Sequence, residues 1–426
     1  MKPTPSASSS SSKPDCAANA GCRLCGSKAL ERFLVLGPQP LANSFLKPAD
    51  ADKDEPFFPL DVYLCGGCGL VQLRDVVSPE IMFKDYVYVS STSPVFVAHF
   101  EKFAQDVWKA LGLKKGDVAV DIGSNDGVLV KPFKALGAAA LGVDPAENVA
   151  KLANDAGLET VCAFFGPETA RAIAKKKGRA RAATACNVFA HVNDLEDFVA
   201  GLDELLADDG VFMPEFPYLA DFYEKNLFDT VYHEHLSYLA VTPLIPFFEK
   251  RGFEIFDAWR VPSHGGSLRL FVQRKSGKRA KTPAVAELVA LEKRLGLGSI
   301  STWKAFAERV ETNKGTLIAM LERLRSENRS IMGYGAPAKG NTLLNYFHIG
   351  PGFVSAVVDD SVFKQGLLTP GTHIPVVAPG ELAQRRPDYL LILAWNFAEP
   401  IMNKLASFKA DGGKFIIPVP EPRIVS

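Results

Sequence analysis

Two CxxC pairs carry the most specific chemistry in the chain, Gly21-Cys22-Arg23-Leu24-Cys25-Gly26 and Leu64-Cys65-Gly66-Gly67-Cys68-Gly69. Each fits a tight turn in which glycine relieves backbone crowding, so two thiolates per turn can converge on one tetrahedral ion. Two unrelated buried or redox-active pairs are the alternative; glycines flanking both doublets favour zinc. With Cys22, Cys25, Cys65 and Cys68 all as ligands the site is closed and structural, without the open position a catalytic zinc keeps. Such binding contributes on the order of 10 to 16 kcal/mol in isolated peptides, enough to fold a small domain. A second chemistry lies in Val118-Ala119-Val120-Asp121-Ile122-Gly123-Ser124-Asn125-Asp126-Gly127, an apolar strand, an acid and a Gly-rich turn. Backbone N–H groups and bare Cα atoms at such a turn let a nucleoside come close. The middle glycine of GxGxxG is missing, which argues against a pyrophosphate there. Asp144, ending Leu141-Gly142-Val143-Asp144, stands roughly 20 residues on, where an acid takes both ribose hydroxyls; capping a helix is its simpler role. A third chemistry lies in Tyr232-His233-Glu234-His235-Leu236-Ser237-Tyr238. Histidine accepts a proton near neutral pH, and Tyr O–H groups stabilise an oxyanion. His233 and His235 could also bind a metal, but the H-E-x-x-H spacing is absent, which puts catalysis first.

Elements must hold these groups in place. Ser93-Pro94 opens a helical pattern through Phe96, Val97, Phe100, Phe103, Val107, Trp108 and Leu111. Strands are expected at 118–122, 140–143, 183–188 and 211–216, alternating with helices as in a parallel doubly wound sheet. The apolar runs 253–258 and 267–272, joined by Pro262-Ser263-His264-Gly265-Gly266, read as an antiparallel pair closing that sheet. Residues 283–327 read as a helical, solvated connector broken near Gly296, and Lys175 to Arg179 as a solvated helix end. A second alternating unit starts at Ser330, with strands at 331–335, 354–358 and 389–393 and a helix from Pro337. Its turn Gly333 to Asn341, leading into a helix N-terminus with Lys339, suits a diphosphate, or is an ordinary strand-to-helix turn. The expected division is a disordered tail 1–20, a zinc-binding domain 21–80, a cofactor-binding domain 81–275, the connector 276–329 and a C-terminal α/β domain 330–426.

Composition narrows the classes. At 426 residues the chain has room for about three domains. Lys plus Arg and Asp plus Glu are both 48, so no global field favours a polyanion, and a nucleic-acid binder is disfavoured. Apolar residues at 47% and charged ones at 23% fit a water-soluble globular protein rather than a disordered chain or a membrane protein. No run approaches the roughly 20 apolar residues of a membrane span. The run Ser8 to Ser12 lies in a tail without an apolar core, so the expected location is cytoplasmic. A monomer is compatible with the low net charge.

The acid that opens the first Gly turn resembles motif I of class I S-adenosylmethionine (SAM) methyltransferases. The full series of motifs resembles, in order, the sugar C-methyltransferases, which methylate a ring carbon of dTDP-linked keto-deoxysugars. It comprises the four cysteines, Asp121 to Gly127, Asn187-Val188-Phe189-Ala190-His191-Val192, Pro214-Glu215-Phe216-Pro217-Tyr218, Tyr232 to Tyr238, His264-Gly265-Gly266-Ser267-Leu268-Arg269 and Gly333-Tyr334-Gly335-Ala336-Pro337-Ala338-Lys339-Gly340-Asn341. The resemblance covers about residue 20 to the end. It implies an α/β fold of three parts: a four-Cys zinc domain, a class I Rossmann-like SAM domain and a C-terminal Rossmann-like domain. It implies SAM and one structural zinc as cofactors, and a nucleotide sugar as the partner, with no nucleic acid and no membrane.

Residue by residue, the resemblance makes His235 the base that removes the proton alpha to the sugar ketone. Glu234 and Tyr232 orient it and hold the enolate oxygen, Tyr86 (with Tyr88 as alternative) enters from the segment after the zinc domain, and His191 adds a polar group. Asp121, Gly123, Asn125, Gly127, Asp144 and Asn187 fall to the cofactor, and Glu215, Tyr218, His264, Tyr334, Lys339 and Asn341 to the substrate. Two other readings remain: an NAD-dependent oxidoreductase of nucleotide sugars using Gly333-Tyr334-Gly335, and a zinc-ribbon adaptor.

Overall fold

The computed structural model describes residues 15–83, 89–92 and 94–426, with the side chains of Phe83 and His264 outside that description. Tyr86, Tyr88 and the serine run of the tail therefore lie outside the described residues.

Seven strands build the central sheet: β1 (Val118–Ile122), β2 (Ala139–Asp144), β3 (Thr160–Cys162), β4 (Ala180–Cys186), β5 (Leu206–Pro217), β6 (Phe253–Val261) and β7 (Ser267–Arg274). Their spatial order is β6-β7-β5-β4-β1-β2-β3. β7 runs antiparallel to both its neighbours, and the pairings among β1 to β5 are parallel. β1 is buried along its whole length, the near-continuous apolar run that a strand covered on both faces needs. The chain winds from β1 out to β3 and then returns to the other side of β1 with β4. That reversal opens a crevice at the carboxyl ends of β1 and β4, where such sheets bind ligands. Strand β3 has only three residues, too few for a period-two pattern to register. Strand β4 starts at Ala180 and ends at Cys186, earlier at both ends than its apolar run indicates, because its alanine-rich face is selected by packing and not by propensity.

The N-terminal sheet has four antiparallel strands, in the order Ser237–Tyr238, Val71–Leu73, Phe57–Cys65 and Leu30–Pro40. Its first strand is the end of the Tyr232 to Tyr238 segment, more than 150 residues away in sequence from the rest. The expected tail 1–20 needs correcting at its end: Cys16–Ala18 forms a strand against Asp75–Val77, and Cys16 packs on the cluster of Leu41, Phe58 and Val77.

Helix α1 (Pro94–Leu111) buries Phe100, Phe103, Ala104, Val107 and Leu111, the stripe its sequence spacing demands. The expected solvated connector is instead a structural spine. Helix α2 (Pro283–Leu295) buries Val285 and Leu288, and α3 (Ile300–Ser326) buries Trp303, Phe306, Val310, Leu317, Leu321 and Leu324. Trp303 lies 5.1 Å from the Phe33 ring of the N-terminal sheet, and Phe306 stacks at 4.9 Å on Phe222. One helix thereby touches two layers, and each fully buried aromatic contributes about 1.5 to 3 kcal/mol.

The C-terminal sheet comprises β8 (Ile331–Tyr334), β9 (Val357–Val358), β10 (Val376–Val377), β11 (Tyr389–Ile392), β12 (Lys414–Ile417) and β13 (Arg423–Val425), ordered β10-β9-β8-β11-β12-β13. All pairs are parallel except β12 with β13. Helix α4 (Ala338–Phe347) follows β8. No helix among the described residues is long and apolar enough to cross a membrane.

Candidate active site

A cleft of about 590 Å³ runs from the carboxyl ends of β1, β2 and β4 to the start of α4. Its floor is the Gly-rich turn. Gly123 has φ +70°, and a Cβ there would sit 2.2 Å from Val188 Cγ2, so only glycine lets this turn and the end of β4 approach so closely. Asn125 and Asn187 both adopt left-handed backbone, with φ 51° and 57°, a conformation Asn tolerates better than most residues. The Asp144 carboxylate accepts the N–H of Asn125 at 2.8 Å and of Ala146 at 2.9 Å. It thus secures the turn and also faces the cleft, where each oxygen keeps a lone pair for a ribose hydroxyl. Burial raises its pKa against the pull of these two N–H groups.

Burial pushes Asp121 up to about 7, opposed by the Thr184 hydroxyl that donates to it at 2.6 Å and aided by the nearby Asp144. Gly127 does not line the cleft. Its N–H closes the turn onto the Ser124 carbonyl at 2.9 Å, and a Cβ would lie 2.7 Å from Leu158.

The opposite wall is the segment Thr230 to His235. His235 Nδ1 lies 2.7 Å from the Thr230 carbonyl oxygen. A carbonyl can only accept, so Nδ1 carries the hydrogen and Nε2 the lone pair of the neutral ring. The Tyr232 ring packs at 3.9 Å between centroids on His235, and the His191 ring stacks on His235 at 5.0 Å and 27°. Glu234 accepts a hydrogen bond at 2.7 Å from Asn43 Nδ2. His233 points away, with Nε2 3.2 Å from the Phe58 carbonyl, and burial lowers it to about 4. The alternative of His233 and His235 sharing a metal does not fit this divergence.

The third wall comes from the C-terminal sheet. Lys339, one residue into α4, is half-buried beside Asp229 and lies 4.3 Å over the Trp395 ring, with its ammonium also on Asn396. Burial lowers Lys339 to about 8 against the attraction of Asp229, and burial raises Asp229 to about 6 against the attraction of Lys339. Lys364 lines the same wall, donating to the Ala336 carbonyl at 2.8 Å.

Several expected substrate contacts are engaged elsewhere. Glu215 is sealed in the sheet, taking Arg269 Nε and Nη2 at 3.0 and 2.7 Å, His99 at 2.7 Å and the Ser263 hydroxyl at 3.1 Å. Burial pushes its carboxyl up, but His99 and Arg269 outweigh this and hold it at about 2. The Tyr218 hydroxyl donates to Glu292 at 2.9 Å, and Glu292 also receives the Val241 and Thr242 N–H groups. Tyr334 belongs to the apolar cluster of the C-terminal sheet with Met332, Val358 and Ile392. Asn341 acts at one remove, donating to the Ala42 carbonyl at 2.7 Å beside Asn43. His264 sits in the turn Ser263–Gly265. Asn43 and Lys364 also line the cleft and sit on turns without periodicity, so no sequence pattern marked them; Asp229 lies behind Lys339, where its carboxylate accepts the Trp395 Nε1 hydrogen.

The four cysteine sulfurs lie within 4.8 Å of one another, with Cys22 to Cys68 and Cys25 to Cys65 both at 3.6 Å. Zinc–sulfur bonds of about 2.3 Å in a tetrahedron put sulfurs about 3.8 Å apart, so the donor set fits zinc. The Gly123 cradle and the Asp144 carboxylate likewise fit the nucleoside end of SAM.

Comparison with known proteins finds three family matches along the chain. Residues 22–83 match a zinc binding domain, 96–258 a methyltransferase domain and 262–420 a C-methyltransferase C-terminal domain. The chain is 37% identical over 405 residues to the C-methyltransferase NovU of Streptomyces niveus, covering 95% of this chain and 96% of that one. Among solved structures, a magnesium protoporphyrin IX methyltransferase from Synechocystis PCC 6803 with bound SAM is 16% identical, with a TM-score of 0.32 over 42% of this chain and 82% of its own. A SAM-dependent methyltransferase from Anabaena variabilis is 15% identical, with a TM-score of 0.33 over 41% and 84%.

Proposed function

We propose a substrate and a chemical course from one premise: the chain belongs to the C-methyltransferase family, and is a SAM-dependent C-methyltransferase with a zinc-binding domain. In this reading it methylates a carbon alpha to the ketone of a nucleotide-linked sugar, a dTDP-4-keto-6-deoxyhexose. A ring C–H is not acidic, but beside a ketone the electron pair left by the proton passes to the carbonyl oxygen. Such a reaction needs a base, an oxyanion partner and a fixed geometry, and no metal. The observation that carries the reading is the His235 Nδ1 bond to the Thr230 carbonyl, which puts the hydrogen on Nδ1 and the basic lone pair on Nε2. Tyr232 donates its O–H to the enolate oxygen, Glu234 on the same wall keeps the imidazole oriented, and His191 stacks on that ring. Asp144, Gly123, Asn125 and Asn187 hold the cofactor, with Asp121 beneath them. When bound, SAM supplies an electrophilic methyl group on a sulfonium.

Lys339 and Lys364 face the cleft beside the N-terminus of α4 and take the diphosphate, so that binding energy remote from the ring holds the reacting carbon in register. Both reactants are charged and would be met in the cytoplasm. The test is mass spectrometry of dTDP-4-keto-6-deoxyglucose, and of its 2-deoxy and 3-amino relatives, incubated with the protein and SAM. A protein-dependent gain of one methylene mass is expected. In deuterated water, wild type should exchange the alpha proton and His235→Ala should not; exchange by His235→Ala at the wild-type rate would remove His235 as the base.

A further inference from the structure

The zinc knuckle and the wall that carries His235 are joined through a residue that the chemistry above does not use. Arg23 lies between Cys22 and Leu24 in the first CxxC turn, and only 9% of it is exposed. A buried guanidinium needs partners to offset its lost hydration. Its Nη1 donates to the carbonyl oxygen of Leu236, the residue after His235, and lies 3.3 Å from Gln72 Oε1. Its own backbone N–H reaches the same Gln72 oxygen at 3.2 Å. Its Nη2 is 3.5 Å from Asn193 Oδ1, two residues after His191.

The Leu236 carbonyl also receives the Leu73 N–H at 3.0 Å, and the next residues, Ser237 and Tyr238, pair with Gln72 and Val71. One guanidinium therefore spans three pieces of chain: the knuckle, the segment that ends in His235, and the segment that follows His191. Those two histidines stack at 5.0 Å, and their separation depends on how the two segments are held.

We propose that Arg23 is a positioning residue for methyl transfer, anchoring the Leu236 carbonyl and Asn193 to the zinc knuckle and so setting the placement of His235 against His191. The proposal rests on the reading of His235 as the base. It gives the metal domain a task in catalysis without any contact between metal and substrate. A charge-assisted, fork-shaped donor suits the task, because it binds two carbonyl-type oxygens in fixed directions where an ammonium would satisfy them one at a time. The loss is expected in turnover rather than in cofactor binding, since small displacements of a catalytic group cost rate steeply.

The test compares full-length Arg23→Leu and Arg23→Lys with wild type and with His235→Ala. Four quantities are read: zinc per chain, SAM affinity by calorimetry, kcat and KM for methyl transfer to dTDP-4-keto-6-deoxyglucose, and amide hydrogen exchange of peptides covering residues 232–238. Arg23→Leu should keep one zinc per chain and SAM affinity within about threefold. Its kcat should fall about 10- to 100-fold, and exchange at 232–238 should accelerate. Arg23→Lys should recover part of both.

Wild-type kcat and wild-type exchange in Arg23→Leu would overturn the proposal. Loss of zinc in both variants would also overturn it, making Arg23 a residue that merely folds the knuckle. Should Arg23→Leu fail to fold, Arg23→Lys decides alone, by whether kcat drops while zinc and SAM affinity hold. Failure of the base reading looks different: His235→Ala would retain turnover, whatever the Arg23 variants do to exchange at 232–238.

Discussion

Replacing Gly123 with alanine tests how the cofactor turn is built. The added Cβ meets Val188 Cγ2 at 2.2 Å, and the residue is held at φ +70°. Left-handed backbone costs an L-residue about 1 to 2 kcal/mol, and forcing a methyl into a packed contact costs about 1 to 3 kcal/mol more. Gly123→Ala should therefore lose about 2 to 5 kcal/mol of stability. Val188 is only partly buried and adjoins Asn187 in the cleft wall, so it gives way toward the space that the cofactor needs. A displacement worth about 1.4 kcal/mol lowers SAM affinity tenfold.

The second variant, Gly123→Ala with Val188→Ala, removes the clashing methyl but leaves the backbone strain. A double-mutant cycle should show a favourable coupling of about 1 to 3 kcal/mol, with SAM affinity partly restored. The assays are urea unfolding monitored by circular dichroism and calorimetric titration with SAM. Wild-type stability and affinity in the single variant would refute the close-approach argument. A cycle without coupling would show that backbone conformation alone, and not the contact with Val188, demands glycine.

Three further outcomes follow from other parts of the structure. Glu215→Ala should destabilise the protein by about 3 to 5 kcal/mol in urea titrations, because it strands Arg269 in the sheet. The Glu215 carboxyl is held at about 2 in the fold, below its usual unfolded value of about 4.3; its contribution is thus complete above that value and lost as pH falls toward 2, a slope that Glu215→Ala should lack. Lys339→Met should weaken nucleotide-sugar binding by calorimetry while leaving SAM affinity alone. Adding Asp229→Asn should restore the melting temperature without restoring that binding, and in wild type binding should fade as pH rises through about 8, where Lys339 loses its proton. Stripping zinc with a chelator, or Cys65→Ser, should lower the melting temperature and speed amide exchange not only in residues 57–73 but also at Ser237 and Tyr238, which share their sheet.

Chemistry that depends on residue type at short spacing was legible in the chain itself. Four cysteines in two glycine-flanked turns can converge on one ion wherever the turns end up, and an acid before a Gly-rich turn keeps its meaning because both lie on consecutive residues. Periodicity likewise specified α1, β1, β2 and the antiparallel pair β6 and β7, since burial of one face or of a whole strand leaves a repeating mark. Other features depended on distance in space. Glu215 and Tyr218 sit in a motif, yet Arg269 and Glu292, remote in sequence, take up their polar atoms. Asn43 and Lys364 line the cleft from segments without a pattern, and the strand Ser237–Tyr238 belongs to a sheet whose other members precede it by more than 150 residues. Local sequence dictates which groups can act and how their own turn bends. Which of them face one cleft, and which are neutralised on the way, is decided by long-range packing, because a buried polar atom takes whatever partner the assembled fold brings within hydrogen-bond reach.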